Sequence, residues 1–450
     1  MMDGNNSSGV AVSPTAIETR AIWAIAIPAM ITNVATALIG IGDVWIVGRL
    51  GDPAAQGAVD IGARLFALLF VAVNFLKTGT TGLVAQAGRR EGLAGQNATL
   101  LRALFIGTIL AAALLVAKPL LQPNLIALLG AEGQVATEAN IYVDIRYWSA
   151  PAFFANLGLI GYLVGQRRMR AVLFVEVAYN LLNVALGSFL TLWLDFGIAG
   201  TGWSSLVAEF AKLAVVAALV LRGKSALSQM RAAAHAGILA RDKLLPFLAV
   251  NRDLFMRTVI LTACMAIVTR IGAEQGAVTL AANAIIFQLF VFTALLIDGF
   301  ENAAQVLCGE ALGDRDRQHF KEYASAILWR GLMVGAVLSA AFALGGEPLL
   351  QSFAATDAVF AEANSVSVWL LVFPLVGAAS FVFDGVFVGA SWTRALLLGM
   401  IGSAAVFAVS LWLLLPVGNT GLWASFAIFL GMRAVFQAAM MPGLIRRSFS

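Results

Sequence analysis

The chain has 450 residues, of which 60% are hydrophobic and only 12% charged, and its mean hydropathy is +0.88. A soluble domain carries roughly 25% charge, so that class is excluded and lipid is the implied solvent. The formal charge of +4 fits topogenic charge in the loops, not a nucleic-acid partner, and two cysteines (Cys264, Cys308) in predicted helices with two histidines (His235, His319) in loops imply no disulfide framework, metal cluster or cofactor.

Residues 1–20 are polar and lack the basic-then-apolar pattern of a cleaved signal, so they read as a cytoplasmic tail before a retained first helix. A spanning helix needs about 20 mainly apolar residues. Twelve such stretches follow, near 21–47, 58–86, 97–119, 138–164, 171–193, 198–221, 244–269, 279–308, 324–345, 360–390, 395–416 and 421–443. They are continuous and rich in Ala, Leu, Val and Gly, unlike the alternating strands of an outer-membrane barrel. Lys and Arg gather in alternate connections: Arg89 and Arg90; Arg167, Arg168 and Arg170; the 222–243 segment; Arg315, Arg317 and Lys321; Arg394; Arg446 and Arg447. The positive-inside rule then puts both termini and 222–243 in the cytoplasm of an inner (plasma) membrane protein.

The chain also resembles itself. VGRLG at 47–51 returns as VTRIG at 268–272, GAVDIGARLF at 57–66 as GAVTLAANAIIF at 276–287, and Ala85-Gln86 as Ala304-Gln305. Each half, 21–221 and 244–445, therefore holds six helices, joined by the 222–243 linker. An even helix number per repeat makes both halves enter the membrane in the same direction, related by a pseudo-two-fold axis along the membrane normal. The expected fold is an all-α integral membrane protein of twelve transmembrane helices in two six-helix lobes.

No G-x-x-x-x-G-K-[ST] loop occurs, so transport is expected to run on an ion gradient and not on nucleotide hydrolysis. Ionisable and amide side chains within spans mark function. Asp43 on helix 1 is the sharpest of these, a carboxylate for a proton or a cation. On helix 5, Glu176, Asn180, Asn183 and Gly187 recur at steps of four, three and four, one stripe of a helix. In the second half Asp298 and Glu301 on helix 8 and Asp384 on helix 10 fall toward the cytoplasmic side, with Asn283 and Gln288 higher on helix 8 and Lys77 on helix 2 as the nearest cation. These are substrate-cavity or gating candidates. Intramembrane basic residues otherwise look few.

The motifs GDVWIVGRLGDPAA (42–55), NFLKTGTTGLVAQA (74–87), NRDLFMRT (251–258), LAANAIIFQLF (280–290), LIDGFENAAQVLCGEALGD (296–314) and FDGVFVGA (383–390) together resemble the MATE family of multidrug and toxic compound extrusion proteins, in its DinF-like branch. The resemblance implies two lobes in a V, alternating access, and export of organic, often cationic compounds against inward proton or sodium flow. It places the ion-coupling residues on Asp43 and Asn183, with Asn180 beside them and a hydroxyl at Ser205. Many relatives carry an aspartate where this chain has Gly187, which weakens a sodium cage, because a cation site prefers several hard anionic ligands, and favours protons on Asp43. The expectation is a drug/proton antiporter, a monomer whose partners are small organic substrates and the lipid bilayer. Alternatives are a sodium-coupled or organic-acid exporter, or a lipid or polysaccharide flippase. An intramembrane enzyme is disfavoured, as no His lies in a span.

Overall fold

The computed structural model describes the backbone of residues 14–49, 52–222, 226–235, 237 and 239–450, with side chains throughout except at 14–18, 37–45, 48, 53, 68, 70–72 and 226–227. The described residues contain helices and no strands. The first half comprises α1 (Pro14–Gly48), α2 (Pro53–Val73), α3 (Phe75–Arg90), α4 (Gly92–Leu128), α5 (Gly133–Tyr147), α6 (Ala150–Gly165), α7 (Met169–Ser188), which widens into a π turn over Phe189–Trp193, and α8 (Gly197–Val220). The linker forms α9 (Ala226–His235). The second half comprises α10 (Arg241–Glu274), α11 (Ala277–Gly313), α12 (Arg317–Phe353), α13 (Asp357–Ser365), α14 (Val368–Gly389), α15 (Thr393–Leu414) and α16 (Asn419–Ser448).

Among the described residues nine helices are long and apolar enough to cross a membrane, ten when the pair α5–α6, bent by 52°, counts as one span. With α1 and the consecutive pair α2–α3 counted as one span each, the total is twelve. Three expected spans are broken where hydropathy suggests continuity: 58–86 at Asn74, 138–164 at Trp148–Ser149 and 360–390 at Val366–Ser367. Two of the breaks share a cause. Ser149 Oγ donates to the carbonyl of Arg146 (2.7 Å) and Ser365 Oγ to that of Glu362 (2.7 Å), taking an acceptor from the helical ladder. Pro151, which has no N–H to contribute, then starts the first turn of α6.

The two lobes repeat one packing scheme. In the first, α3 packs on α4 and α6, α6 on α4 and α8, α7 on α1 and α8, and α2 on α5; in the second, α11 packs on α12 and α14, α14 on α12 and α16, α15 on α10 and α16, and α11 again on α13. Each of these contacts of one lobe thus has its counterpart in the other, the spatial form of the sequence repeat. Outward faces carry bare apolar side chains: Leu344 is 88% exposed, Val116 82% and Trp193 80%. Water does not tolerate so continuous an apolar surface, whereas acyl chains do.

The lobes meet through α1 and α3 of the first and α10, α11 and α14 of the second. Along α11 the contact runs over its carboxy-terminal half. Asn33 Nδ2 donates to the carbonyl of Leu295 (3.1 Å), Trp23 meets Phe300 edge-on at 5.3 Å, and a Cβ on Gly82 would stand 2.6 Å from the carbonyl oxygen of Val388. Glycine at 82 is therefore what lets α3 approach α14 backbone to backbone. This contact zone lies toward the end of the bundle that bears Arg89, Arg167, Arg315 and Arg394, called the basic end below.

Candidate functional site

In the first lobe, α7 presents its polar stripe to α8 and α1. Glu176 and Asn183 are buried, and Glu176 Oε1 lies 2.7 Å from Lys212 Nζ, which also stands 4.8 Å above the Tyr179 ring. One turn earlier on α8, the buried carboxylate of Glu209 accepts from Asn156 Nδ2 at 2.8 Å, whose amide also reaches the Glu209 carbonyl at 3.1 Å, and Tyr179 hydrogen-bonds the same side chain. Two acids are thus held by an ammonium, a phenol and an amide. In a medium without water, charges persist only when paired in this way.

Further along the stripe, Asn183 Oδ1 accepts from Ser204 Oγ (3.1 Å) and Ser205 Oγ (3.4 Å). Ser205 is where the family resemblance puts the hydroxyl, and Ser204 joins it at the shorter distance. Both amide atoms of Asn180 are buried without a partner among the described residues. A Cβ on Gly187 would sit 3.1 Å from Ile46 Cδ1 and 3.1 Å from Ser204 Oγ, so this face of α7 abuts α1 one turn beyond Asp43. Asp43 itself belongs to α1, and its side chain lies outside the described residues.

The second lobe holds a denser cluster. Asp384 on α14, 1% exposed, accepts from Arg257 on α10, from Arg433 on α16 and from Gln437 Nε2 (2.5 Å). The Arg433 guanidinium also lies over the rings of Phe381 (5.4 Å) and Phe429 (5.9 Å), which stabilise a cation through their π faces. Asp298 and Glu301 on α11 lie within electrostatic reach of Asp384 and both arginines, and Glu301 accepts from Gln305 Nε2 at 2.9 Å. Lys77 on α3 interacts electrostatically with Glu176 and Lys212 on one side and with Asp298 and Glu301 on the other. It stands where the two lobes face each other.

The expected residues are therefore not one site. Asn283 and Gln288 stand apart from the acids: they precede Asp298 by fifteen and ten residues, about 22 and 15 Å along a helix. Asn283 Oδ1 accepts from Trp423 Nε1 (2.8 Å) inside the second lobe, and Gln288 is exposed. The expectation of few intramembrane basic residues is corrected by Lys212, Arg257 and Arg433. These, with Glu209, are what the sequence reading passed over, although each is a charge inside an apolar span and the reasoning applied to Asp43 would have found it. Among the described residues no group of three His, Cys, Asp or Glu side chains is placed to hold a metal ion.

Comparison with known proteins fits this architecture. The MatE family profile matches residues 28–189 and 254–414, one segment in each lobe. The chain is 32% identical over 430 residues to the DNA damage-inducible protein F of Escherichia coli (strain K12), covering 94% of this chain and 91% of that protein. It is 25% identical over 442 residues to the probable multidrug resistance protein NorM of Bradyrhizobium diazoefficiens, with coverage of 94% and 92%. A crystal structure of MATE in the bent conformation superposes with a TM-score of 0.84 at 18% identity, covering 96% of this chain and 97% of that one. With a family profile in each lobe, one relative aligned over most of its length and the same fold in a solved transporter, the chain belongs to the MatE family of multidrug and toxic compound extrusion transporters.

Proposed function

We propose that this transporter is a monomeric proton-driven antiporter that exports organic, cationic or amphipathic compounds, with its basic end and both termini in the cytoplasm. The observation that carries the choice of proton over sodium is the donor set around the first-lobe acids. The Glu176 carboxylate already has an ammonium at 2.7 Å, where a sodium ion would have to sit. Glu209 is met by an amide N–H and a phenol, groups that donate hydrogen bonds instead of offering lone pairs to a cation. Asn183 Oδ1 is occupied by two hydroxyl donors and Gly187 supplies no carboxylate, which leaves the Asn180 amide oxygen, without a partner among the described residues, as a single neutral ligand, fewer than the several hard anionic oxygens a cation site prefers. Protons, unlike sodium, need no vacant coordination shell, only a carboxylate whose partners can shift.

In this reading, protonation of Asp43 or of a stripe acid removes a negative charge from the first lobe, weakens its hold on a bound organic cation, and releases it outward while the proton moves in. The name of the Bradyrhizobium relative supports a drug-like substrate. A second reading, export of an organic acid, draws on Arg257 and Arg433, whose Nε atoms have no partner among the described residues. The test is efflux from proteoliposomes under separately imposed gradients. A pH gradient should drive export of a lipophilic cation and a sodium gradient should not; sodium-driven export at constant pH and potential would refute proton coupling. Saturable transport of a carboxylate dye in place of the cation would select the second reading.

A further inference from the structure

The turns that follow α6 and α14 are copies of one another. In the first, Gln166 N donates to Tyr162 O, Arg167 N to Val164 O and Arg168 N to Leu163 O; in the second, Ala390 N donates to Val386 O, Ser391 N to Val388 O and Trp392 N to Phe387 O. This closing pattern puts one residue of each turn in the left-handed region, Arg167 at φ 59° and Ser391 at φ 56°, although neither is glycine. Each turn is gripped by a side chain from the opposite lobe. Gln86 on α3 donates to the carbonyl of Gly389 (2.6 Å) and to Ser391 Oγ (2.8 Å). Glu310 on α11 accepts from Arg167 Nε (2.6 Å) and Nη2, and from Arg89 Nη2 (2.7 Å).

Position 310 lies 224 beyond 86, and 391 lies 224 beyond 167, so the two grips are related by the internal two-fold. The sequence match of Gln86 with Gln305 is thereby displaced: Gln305 bonds Glu301 within its own helix, and Glu310 takes the place of Gln86. One grip is neutral and the other ionic. The ionic one joins two arginines of the first lobe to one carboxylate of the second, and Arg89 Nη1 also approaches Asp314 of the second lobe at 3.6 Å. Beside it opens a cavity of about 370 Å³ lined by Gly88, Gln96, Gln166 and Arg168. The Arg89 side chain is 47% exposed and that of Glu310 11%, so solvent and salt reach the pair.

We propose that these two grips form the latch that closes the lobes at the basic end, and that its ionic half, Glu310 with Arg167 and Arg89, sets how often they part there. The inference rests on the alternating-access reading and not on which ion drives transport. A charge-assisted, forked pair is the strongest kind of hydrogen bond available to such a contact. Placing it on the residue that the repeat makes equivalent to a neutral glutamine makes one half of the latch sensitive to charge and ionic strength.

The test measures distance and needs no gradient, so a failure of proton coupling leaves it intact. Spin labels are attached to Arg90→Cys and Arg394→Cys, both exposed at the basic end, in a Cys264→Ala, Cys308→Ala background in nanodiscs, and distances are read by double electron–electron resonance. The parent should show one dominant short distance. Glu310→Gln should raise the ratio of long to short distances roughly tenfold, the expected consequence of losing a charge-assisted hydrogen bond. Arg167→Gln should act similarly, and the double variant should add little to either. Raising ionic strength should lengthen distances in the parent but not in Glu310→Gln. An unchanged distribution in Glu310→Gln, or additive effects of the two single variants, would overturn the proposal. Should Glu310→Gln fail to fold, the salt titration of the parent and the Gln86→Ala, Ser391→Ala pair on the neutral grip decide it: an insensitive parent, or a neutral-grip variant indistinguishable from the parent, overturns it equally.

Discussion

Replacing Asp384 by Asn removes the carboxylate that, among the described residues, hydrogen-bonds both the Arg257 and the Arg433 guanidinium, while keeping the side chain's size. Asp384 and Arg433 have side chains 1% exposed and Arg257 one 17% exposed, so Arg433 has no access to water and Arg257 little. Removing one partner of a buried ion pair costs about 3–5 kcal/mol, because the other charge stays behind unpaired. The rings of Phe381 and Phe429 offset part of this for Arg433, by about 1–2 kcal/mol, and the Asn carbonyl can still accept one bond. The net loss should be about 2–4 kcal/mol, which for a unit of roughly 200 residues lowers Tm by on the order of 10 °C. Fluorescence-detected size exclusion after graded heating in detergent measures this directly. Asp384→Asn combined with Arg433→Met should recover several degrees, since it also removes the stranded charge. If Asp384→Asn melts with the parent, the cluster is not a structural ion triad. If it is then also inactive in efflux, Asp384 belongs to the transport machinery instead.

Asp43→Asn should abolish gradient-driven efflux while the protein still inserts and runs as a single species on size exclusion; efflux at the parent's rate would show that coupling lies elsewhere. Cysteines at Gln318 and Ala354 should label from opposite faces of right-side-out vesicles, 318 only from the cytoplasm and 354 only from outside, and labelling from a single face would sink the twelve-helix topology. Asp316 caps α12 by accepting from the backbone N–H of His319 (2.9 Å), and that bond, with the His319 ring beside it, holds its carboxyl below the usual range. A depressed carboxyl stabilises the cap above the ordinary aspartate pKa and releases it as pH falls through the folded value. Amide protection in the first turn of α12 should therefore decline only at strongly acidic pH, and in Asp316→Ala should be low at every pH. Gly187→Asp should gain sodium sensitivity or shift the pH optimum of efflux upward, because two close carboxylates cannot both ionise cheaply. Its Cβ would meet Ile46 and Ser204 at 3.1 Å, so a loss of a few degrees in Tm is expected as well, and an unchanged pH profile would show that position 187 does not face the coupling site.

The fold was legible because its determinants are local. Twelve apolar stretches, alternating basic loops and a repeated VGRLG/VTRIG element each follow from hydropathy, charge or self-similarity without knowledge of any contact. The breaks at Ser149 and Ser365 were not legible in the same way, since a serine in an apolar helix reads as tolerated until its hydroxyl is seen on the carbonyl three residues earlier. Glu176, Asn180, Asn183 and Gly187 were found because they share one helix, where periodicity alone puts them on one face.

The second-lobe cluster escaped for the converse reason: its members come from α10, α11, α14 and α16, and only the packing of those helices brings Arg257 and Arg433 onto Asp384. A residue-by-residue scan for intramembrane carboxylates finds one side of each pair and undercounts the cations, which resemble interfacial anchors when they fall near helix ends. Charge balance offers a corrective that needs no structure. Acids at 298, 301 and 384, the last buried and the other two half-buried, are costly in lipid unless matched, so a reading that places them in one lobe must also look for cations near them. Arg257, Arg433 and Lys77 are the three that the structure supplies, and the last of them comes from the other lobe. Lys77 thereby links the electrostatics of the cluster to the first lobe, where it also interacts with Glu176 and Lys212.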